Sequence, residues 1–149
     1  MTIDEEFVLE LRRVFHKWRT RCDTEMRSAG MTLARARTLA LLQEEGGIMQ
    51  RDLLAQLAVE HSTLVRLLDA LEAQGLIRRE PVSGDRRANH VSLTPAGQPV
   101  AREALALLER LRAVALRAIP PDDLHAAVRV LHAISSNLDR GHAAAVPAA

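Results

Sequence analysis

Aromatic side chains are nearly missing from this 149-residue chain: there is no tyrosine, and Phe7, Phe15 and Trp18 all fall near its start. A core elsewhere must therefore be packed from Leu, Ala and Val. Cysteine is limited to Cys22, so no intrachain disulfide can form. Breakers are sparse at 7 Gly and 6 Pro, which suits a helical, folded domain rather than a disordered one. The length is sufficient for one well-buried core. No apolar run is long enough to span a bilayer, and the opening stretch Met1–Glu6 is acidic, unlike a secretory signal. The expected location is the cytoplasm. Also missing are a phosphate-cradling glycine loop, a nucleophile elbow and a His-Glu-x-x-His pair, which removes the common routes to an enzyme. The 6 histidines are scattered. Only His125 and His132 share a helical face, two turns apart and too distant to chelate one ion together, so no metal or other cofactor is expected.

What is present points to nucleic acid. A net charge of +1 exerts little overall pull on phosphate, but the positive residues are grouped. No acid stands between Glu25 and Glu44, where Arg27, Arg35 and Arg37 fall, and Arg78 and Arg79 follow later. Between Gln50 and Gly75 the apolar residues Leu53, Leu57 and Val59, then Leu64, Leu67, Leu68 and Leu71, recur at helical spacing. They divide into two short helices separated by Ala58-Val59-Glu60-His61. Ser62 or Glu60 caps the second helix, and Gly75 is its left-handed stop. Burying the leucine stripe turns His61, Ser62, Thr63, Val65, Arg66 and Asp69 outward. A helix fits a major groove, where Arg66 suits guanine, the hydroxyls of Ser62 and Thr63 suit bases or phosphates, and Val65 suits a thymine methyl. Each of these alone is equally an ordinary solvated position, and a Ser-Thr pair opening a helix is most often only a cap.

Directly afterwards, Leu76 to Gly97 reads as a two-stranded hairpin. Leu76–Arg79 forms one side and Val91–Leu93 the other, with Pro81, Ser83 and Gly84 as punctuation. Its tip is expected at Asp85-Arg86-Arg87, held out in solvent. Guanidinium groups there suit the negative potential of a minor groove, and Asp85 can brace one of them by a charge-assisted hydrogen bond. Helix, turn, helix and hairpin in that order make a winged helix-turn-helix. The expected fold is mainly α with a small β-hairpin wing.

The flanks carry a different pattern. In the first helix Val8, Leu11, Phe15, Trp18 and Cys22 are spaced by 3, 4, 3 and 4 residues, the period of a helix packed along another helix. At the other end Thr94 caps, and Pro95 opens, a helix with the stripe Leu105, Leu108, Leu111 and Val114 or Ala115. Pro120-Pro121 breaks it, and Asp122 and Asp123 favour the next amino terminus. Leu124, Val128, Leu131, Ile134 and Leu138 then follow before Gly141. One chain cannot easily bury three such helices beside a small lobe, so two copies sharing them is the economical arrangement, against a monomer that packs them on itself. The expected organisation is a single domain over 1–149, with a DNA-binding lobe at 32–97, N- and C-terminal dimerisation helices at 3–29 and 95–140, and a flexible tail at 142–149.

From Met31 to Val100 the chain resembles the MarR family of bacterial transcriptional regulators. The most specific parts are Ser62–Leu68, the Leu71–Ile77 run ending in Gly75-Leu76-Ile77, Asp85-Arg86-Arg87, and Leu93-Thr94-Pro95-Ala96-Gly97. The resemblance implies a homodimer that places recognition helices in the major groove and wings in the minor groove of a pseudo-palindromic operator, more often as a repressor than as an activator. It implies Arg87 as the minor-groove arginine, Asp85 as its brace and Arg86 as a more variable position. Ser62, Thr63 and Arg66 match DNA contacts on the helix, and Gln50 matches a phosphate contact on the helix before it.

Some positions depart from the family pattern. Met49 stands where Thr or Ser commonly caps, and Arg35 and Ala36 stand where Gln and a large aromatic are frequent. The space beside Ala36 is either refilled by leucines or left as a pocket. Relatives respond to phenolic or aromatic carboxylate compounds in a crevice between lobe and dimer helices, which implies a small aromatic or anionic effector here. Arg12, His16 and Arg19 could meet its charge, and Ala36 could give it room. Some relatives sense peroxide through a first-helix cysteine, but Cys22 lies on the apolar stripe without partnering tyrosines and reads as a small buried hydrophobe. Two other functions fit less well: a winged-helix protein-interaction module, which would not require Arg86 and Arg87, and a constitutive DNA-binding regulator with no effector.

Overall fold

Helix α1 (Ile3–Ser28) begins at a reciprocal capping box, with Thr2 N donating to Glu5 Oε2 at 2.8 Å and Glu5 N donating to Thr2 Oγ1 at 3.2 Å. Helix α2 (Leu33–Glu45) opens on Thr32, whose hydroxyl accepts from Arg35 N at 3.2 Å. There follow β1 (Ile48–Met49), α3 (Gln50–Leu57), α4 (His61–Ala73), β2 (Ile77–Val82), β3 (Asp85–Leu93), α5 (Gly97–Ala115) and α6 (Pro121–Ala144). This computed structural model describes residues 1–144, apart from the side chains of 85–88 and 142–144. Of the tail expected at 142–149, residues 142–144 instead continue α6, while 145–149 and the side-chain roles expected of Asp85, Arg86 and Arg87 lie outside the described residues. The fold is mainly helical with a small antiparallel sheet, as the sequence leads one to expect.

The sheet has the order β1-β3-β2, with Ile48 opposite Val91 and Ile77 opposite Leu93. Strand β1 is an addition to the expected hairpin. The hairpin itself is longer than its sequence pattern suggests: β2 continues past Arg79 through Pro81 to Val82, and β3 starts at Asp85. The turn is therefore Ser83-Gly84, with Gly84 at φ +91°, and Asp85-Arg86-Arg87 opens the returning strand instead of forming the tip. Pro81 is tolerated because β2 is an edge strand, where a missing donor can face outward. The register shifts between Pro81 and Val82.

Between α3 and α4 the chain turns at Ala58, which takes the left-handed conformation at φ 51°, and His61 already belongs to α4. Glu60, not Ser62, holds the N-cap position, but its side chain makes no capping bond. At the other end Gly75 adopts φ +72°. Leu76 N then donates to Leu71 O at 3.0 Å and Gly75 N to Glu72 O at 2.9 Å, closing the helix as expected of a glycine stop.

The Leu93–Gly97 motif fastens α5 to the end of α4. Thr94 N donates to Leu76 O at 3.1 Å, the Thr94 hydroxyl donates to Gly75 O, and its oxygen accepts from Gly97 N at 3.0 Å. Thr94 thus caps as expected, although Pro95 and Ala96 form a turn and the helix itself begins at Gly97. Gly97 packs directly on the backbone: a Cβ there would lie 1.9 Å from Leu76 O.

The core is built mainly where α2 packs on α5. Ala36, Leu39 and Leu42 meet Ala101, Ala104, Leu107 and Leu111 in a cluster that also takes Leu53, Leu57, Leu64, Leu68, Leu71, Ile77 and Val91. The face that α5 buries within the chain is not the stripe the sequence assigns to the contact between copies, though the two share Leu111. Leu105 and Leu108 are only half-buried and Val114 is exposed, because the small Ala101 and Ala104 provide the close contact. From α1 the buried residues are Cys22 and Met26, while Val8, Leu11, Phe15 and Trp18 remain exposed within the chain. Residues from Leu116 onward form a second unit. Its helix α6 has Asp122 and Asp123 in the first turn, exposes Val128, Leu131 and Leu138, and runs on through Gly141, which the sequence suggests as its stop.

Candidate nucleic-acid interface

Leu64, Leu68 and Leu71 anchor α4 in the core, and the 3.6-residue period turns the intervening residues out. His61, Ser62, Thr63 and Arg66 are exposed together on the first two turns, and Val65 is half-buried beside them. The two helices of the helix-turn-helix start differently from α1 and α2. Met49 before α3 and Glu60 before α4 give no side-chain capping bond, so their first-turn N–H groups are open to an anion. Gln50 opens α3 half-buried, with Oε1 buried and unpartnered. That places the acceptor end of its amide away from any phosphate, which requires donors.

The wing is tied to α4 by Arg79. Its Nη2 donates to Asp69 Oδ1 at 2.6 Å and to Glu72 Oε1 at 3.0 Å, and its backbone N donates to Glu72 Oε2 at 3.1 Å. Hydrogen bonding from Arg79 holds the Glu72 carboxyl below its ordinary pKa range, and the same bonds push the guanidinium pKa up. Arg79 is therefore a structural tie and not a free wing charge, a role the sequence pattern does not disclose. The signal available was the pair of acids one turn apart on α4. Arg78 remains exposed, with Glu80 at 3.7 Å.

Of the residues expected to meet an effector, Ala36 is fully buried among leucines in the core. Arg12, His16 and Arg19 are exposed on α1. His16 lines an open groove of about 490 Å³ along α1 with Lys17, Thr20 and Arg21. A more apolar cleft of about 320 Å³ lies between α1 and α5, walled by Val14, Trp18, Leu111, Val114 and Ala115 and edged by Lys17 and Arg21. Arg12 and Arg19 line neither cleft. Cys22 is fully buried, and burial, with Asp23 nearby, pushes its thiol pKa up despite Arg37, away from the thiolate that redox chemistry requires. No cluster of metal-ligating side chains occurs among the described residues.

The sequence pattern of the MarR family matches residues 29–88. The chain is 35% identical to the transcriptional regulator PA3341, covering 90% of this chain and 98% of that one at a TM-score of 0.72. It is 31% identical to a MarR-family transcriptional regulator from Silicibacter pomeroyi, covering 85% of this chain and 86% of that one at a TM-score of 0.70. S. aureus MepR, solved in complex with DNA, shares the fold at 20% identity, covering 89% of this chain and 97% of that one at a TM-score of 0.75.

Proposed function

Because the chain belongs to the MarR family of bacterial transcriptional regulators, we propose that it is a cytoplasmic, homodimeric repressor released from a pseudo-palindromic operator by a small aromatic or anionic effector. The family is one of regulators, not enzymes. The observation that carries this reading is the open polar face at the start of α4, where His61, Ser62, Thr63 and Arg66 stand exposed over a leucine anchor. The structure of MepR with DNA supports it.

Arg66 takes a guanine edge, Val65 a thymine methyl, and Ser62, Thr63 and His61 the neighbouring bases and phosphates. The amide donor of Gln50 and the uncapped first turns of α3 and α4 hold the backbone. Arg87 enters the minor groove, braced by Asp85, with Arg86 as a more variable contact beside it. The exposed apolar residues of α1 and α6 join two copies, setting the recognition helices about 34–36 Å apart. The α1–α5 cleft receives the effector, with Trp18 against its apolar body and Lys17 and Arg21 against its charge. Filling the cleft changes the lobe spacing and shifts the population away from the DNA-competent state.

The test is a gel shift on DNA flanking the gene and on DNA selected from random sequence, at two salt concentrations. Wild type is expected to bind tightly and salt-sensitively, and Arg87→Ala to lose about 1–3 kcal/mol of affinity as an intact dimer. Binding to neither DNA would overturn the reading, and unchanged affinity would remove Arg87 from it.

A further inference from the structure

We propose that Arg79 is a positioning residue for DNA binding, locking the wing strand onto the recognition helix so that both reach their grooves at one fixed angle. This role rests on the DNA-binding reading above and assigns a part to a residue that need not touch DNA at all.

The tie fixes direction as well as distance. Glu72 accepts at Oε2 from the Arg79 backbone N at 3.1 Å and from Nε at 3.4 Å, while its Oε1 accepts from Nη2 at 3.0 Å. Main chain and side chain of one strand residue are therefore held by a single carboxylate. Asp69, one turn earlier on α4, accepts from the same Nη2 at 2.6 Å. A planar guanidinium with donors in a rigid fork suits this arrangement, and an ammonium group would not reproduce it. The pairing lies at the protein surface, with Asp69 57% and Glu72 41% exposed, so it adds little to folding.

Its placement is what matters. Ile77 seats the root of β2 in the core, and beyond Arg79 the strands run out as a ribbon with exposed residues on β2 from Glu80 to Val82. A ribbon braced on one edge alone, where β1 pairs with β3 as far as His90, swings, and that freedom must be given up on binding. Arg79 removes it beforehand. The tie also offsets one of the two carboxylate charges that Asp69 and Glu72 place on the recognition helix.

Two contributions can be separated because they have opposite signs. The double variant Asp69→Asn with Glu72→Gln removes two negative charges from the recognition helix and frees Arg79. On charge alone, it should bind every DNA more tightly. The positioning role requires instead that operator binding weaken, on the order of tenfold, while binding to unrelated DNA is not weakened. Arg79→Ala should weaken operator binding similarly, should add nothing in the double-variant background, and should leave the slope of log affinity against log salt unchanged. Arg79→Lys, which keeps the charge, should also bind the operator less well than wild type. Equal or tighter operator binding by the double variant would overturn the proposal. So would a salt slope reduced by about 0.9 in Arg79→Ala, the mark of a lost phosphate contact. Thermal unfolding of each variant separates loss of fold, which would weaken operator and unrelated DNA alike and also count against the proposal. A wild type that binds no selected DNA removes the underlying reading, whereas a tight-binding wild type matched by its variants removes only the role of Arg79.

Discussion

A Cβ added at Gly97 falls 1.9 Å from the carbonyl oxygen of Leu76, and backbone at that point cannot turn aside as a flexible side chain would. Gly97→Ala must therefore push α5 off Leu76 and strain the Thr94 bonds beside it. The expected loss is about 3 kcal/mol, the upper part of the range for overpacking, read as a lower urea midpoint at unchanged denaturant slope. The motif Leu93–Gly97 was legible as part of a family resemblance, but the need for glycine was not, because Leu76 lies twenty-one positions earlier in the chain. Arg79 was legible only as one of the grouped positive charges, and its tie was hidden for the same kind of reason: its partners Asp69 and Glu72 belong to a different element. Cys22 was readable as a small hydrophobe, but Val8, Leu11, Phe15 and Trp18 on the same stripe stay exposed within the chain, so periodicity marked the stripe and not which part of it the chain covers.

Among elements, those with their own periodicity were legible. The leucines of α4 and the glycine after it marked a helix and its end. Strand β1 was not visible because two residues, Ile48 and Met49, have no alternation to show and exist as a strand only through Val91 and His90. Pro81 shortened the expected β2 because a breaker matters less on an edge. Gly141 suggested a stop that did not occur, since glycine costs a helix about 1 kcal/mol but ends it only with a left-handed turn. The uncapped start of α4 supports a further prediction. Glu60 occupies the N-cap position, exposed and without a capping bond, and the shorter aspartate is a preferred cap. Glu60→Asp should raise stability by about 1 kcal/mol in thermal unfolding. The same substitution should weaken operator binding, because the first-turn N–H groups it satisfies are those offered to phosphate.

At the scale of the whole molecule, the scarcity of aromatics acquires a location. The three that exist are exposed within the chain: Phe7 39%, Phe15 63% and Trp18 37%. Sequence periodicity could show that these residues form a stripe, but not which surface would meet it. If a second copy covers that stripe, Phe15→Arg should leave helix content intact, shift the protein to monomer in sedimentation, and lower operator affinity at least about 100-fold by removing the second half-site contact. A dimer that persists would take this part of α1 out of the interface. No helix among the described residues is long and apolar enough to cross a membrane. Helix α5 connects the remaining features. Its Gly97 end is fastened to the close of α4 through Thr94 and Leu76, and its Leu111 end forms a wall of the α1–α5 cleft. At 1.5 Å per residue those ends are about 21 Å apart. A tilt of about 5° pivoting at the cleft carries the far end through about 2 Å. On the function proposed above, the helix would serve as a lever arm, its gearing turning a displacement smaller than one water molecule at Val114 into a shift of the reading head.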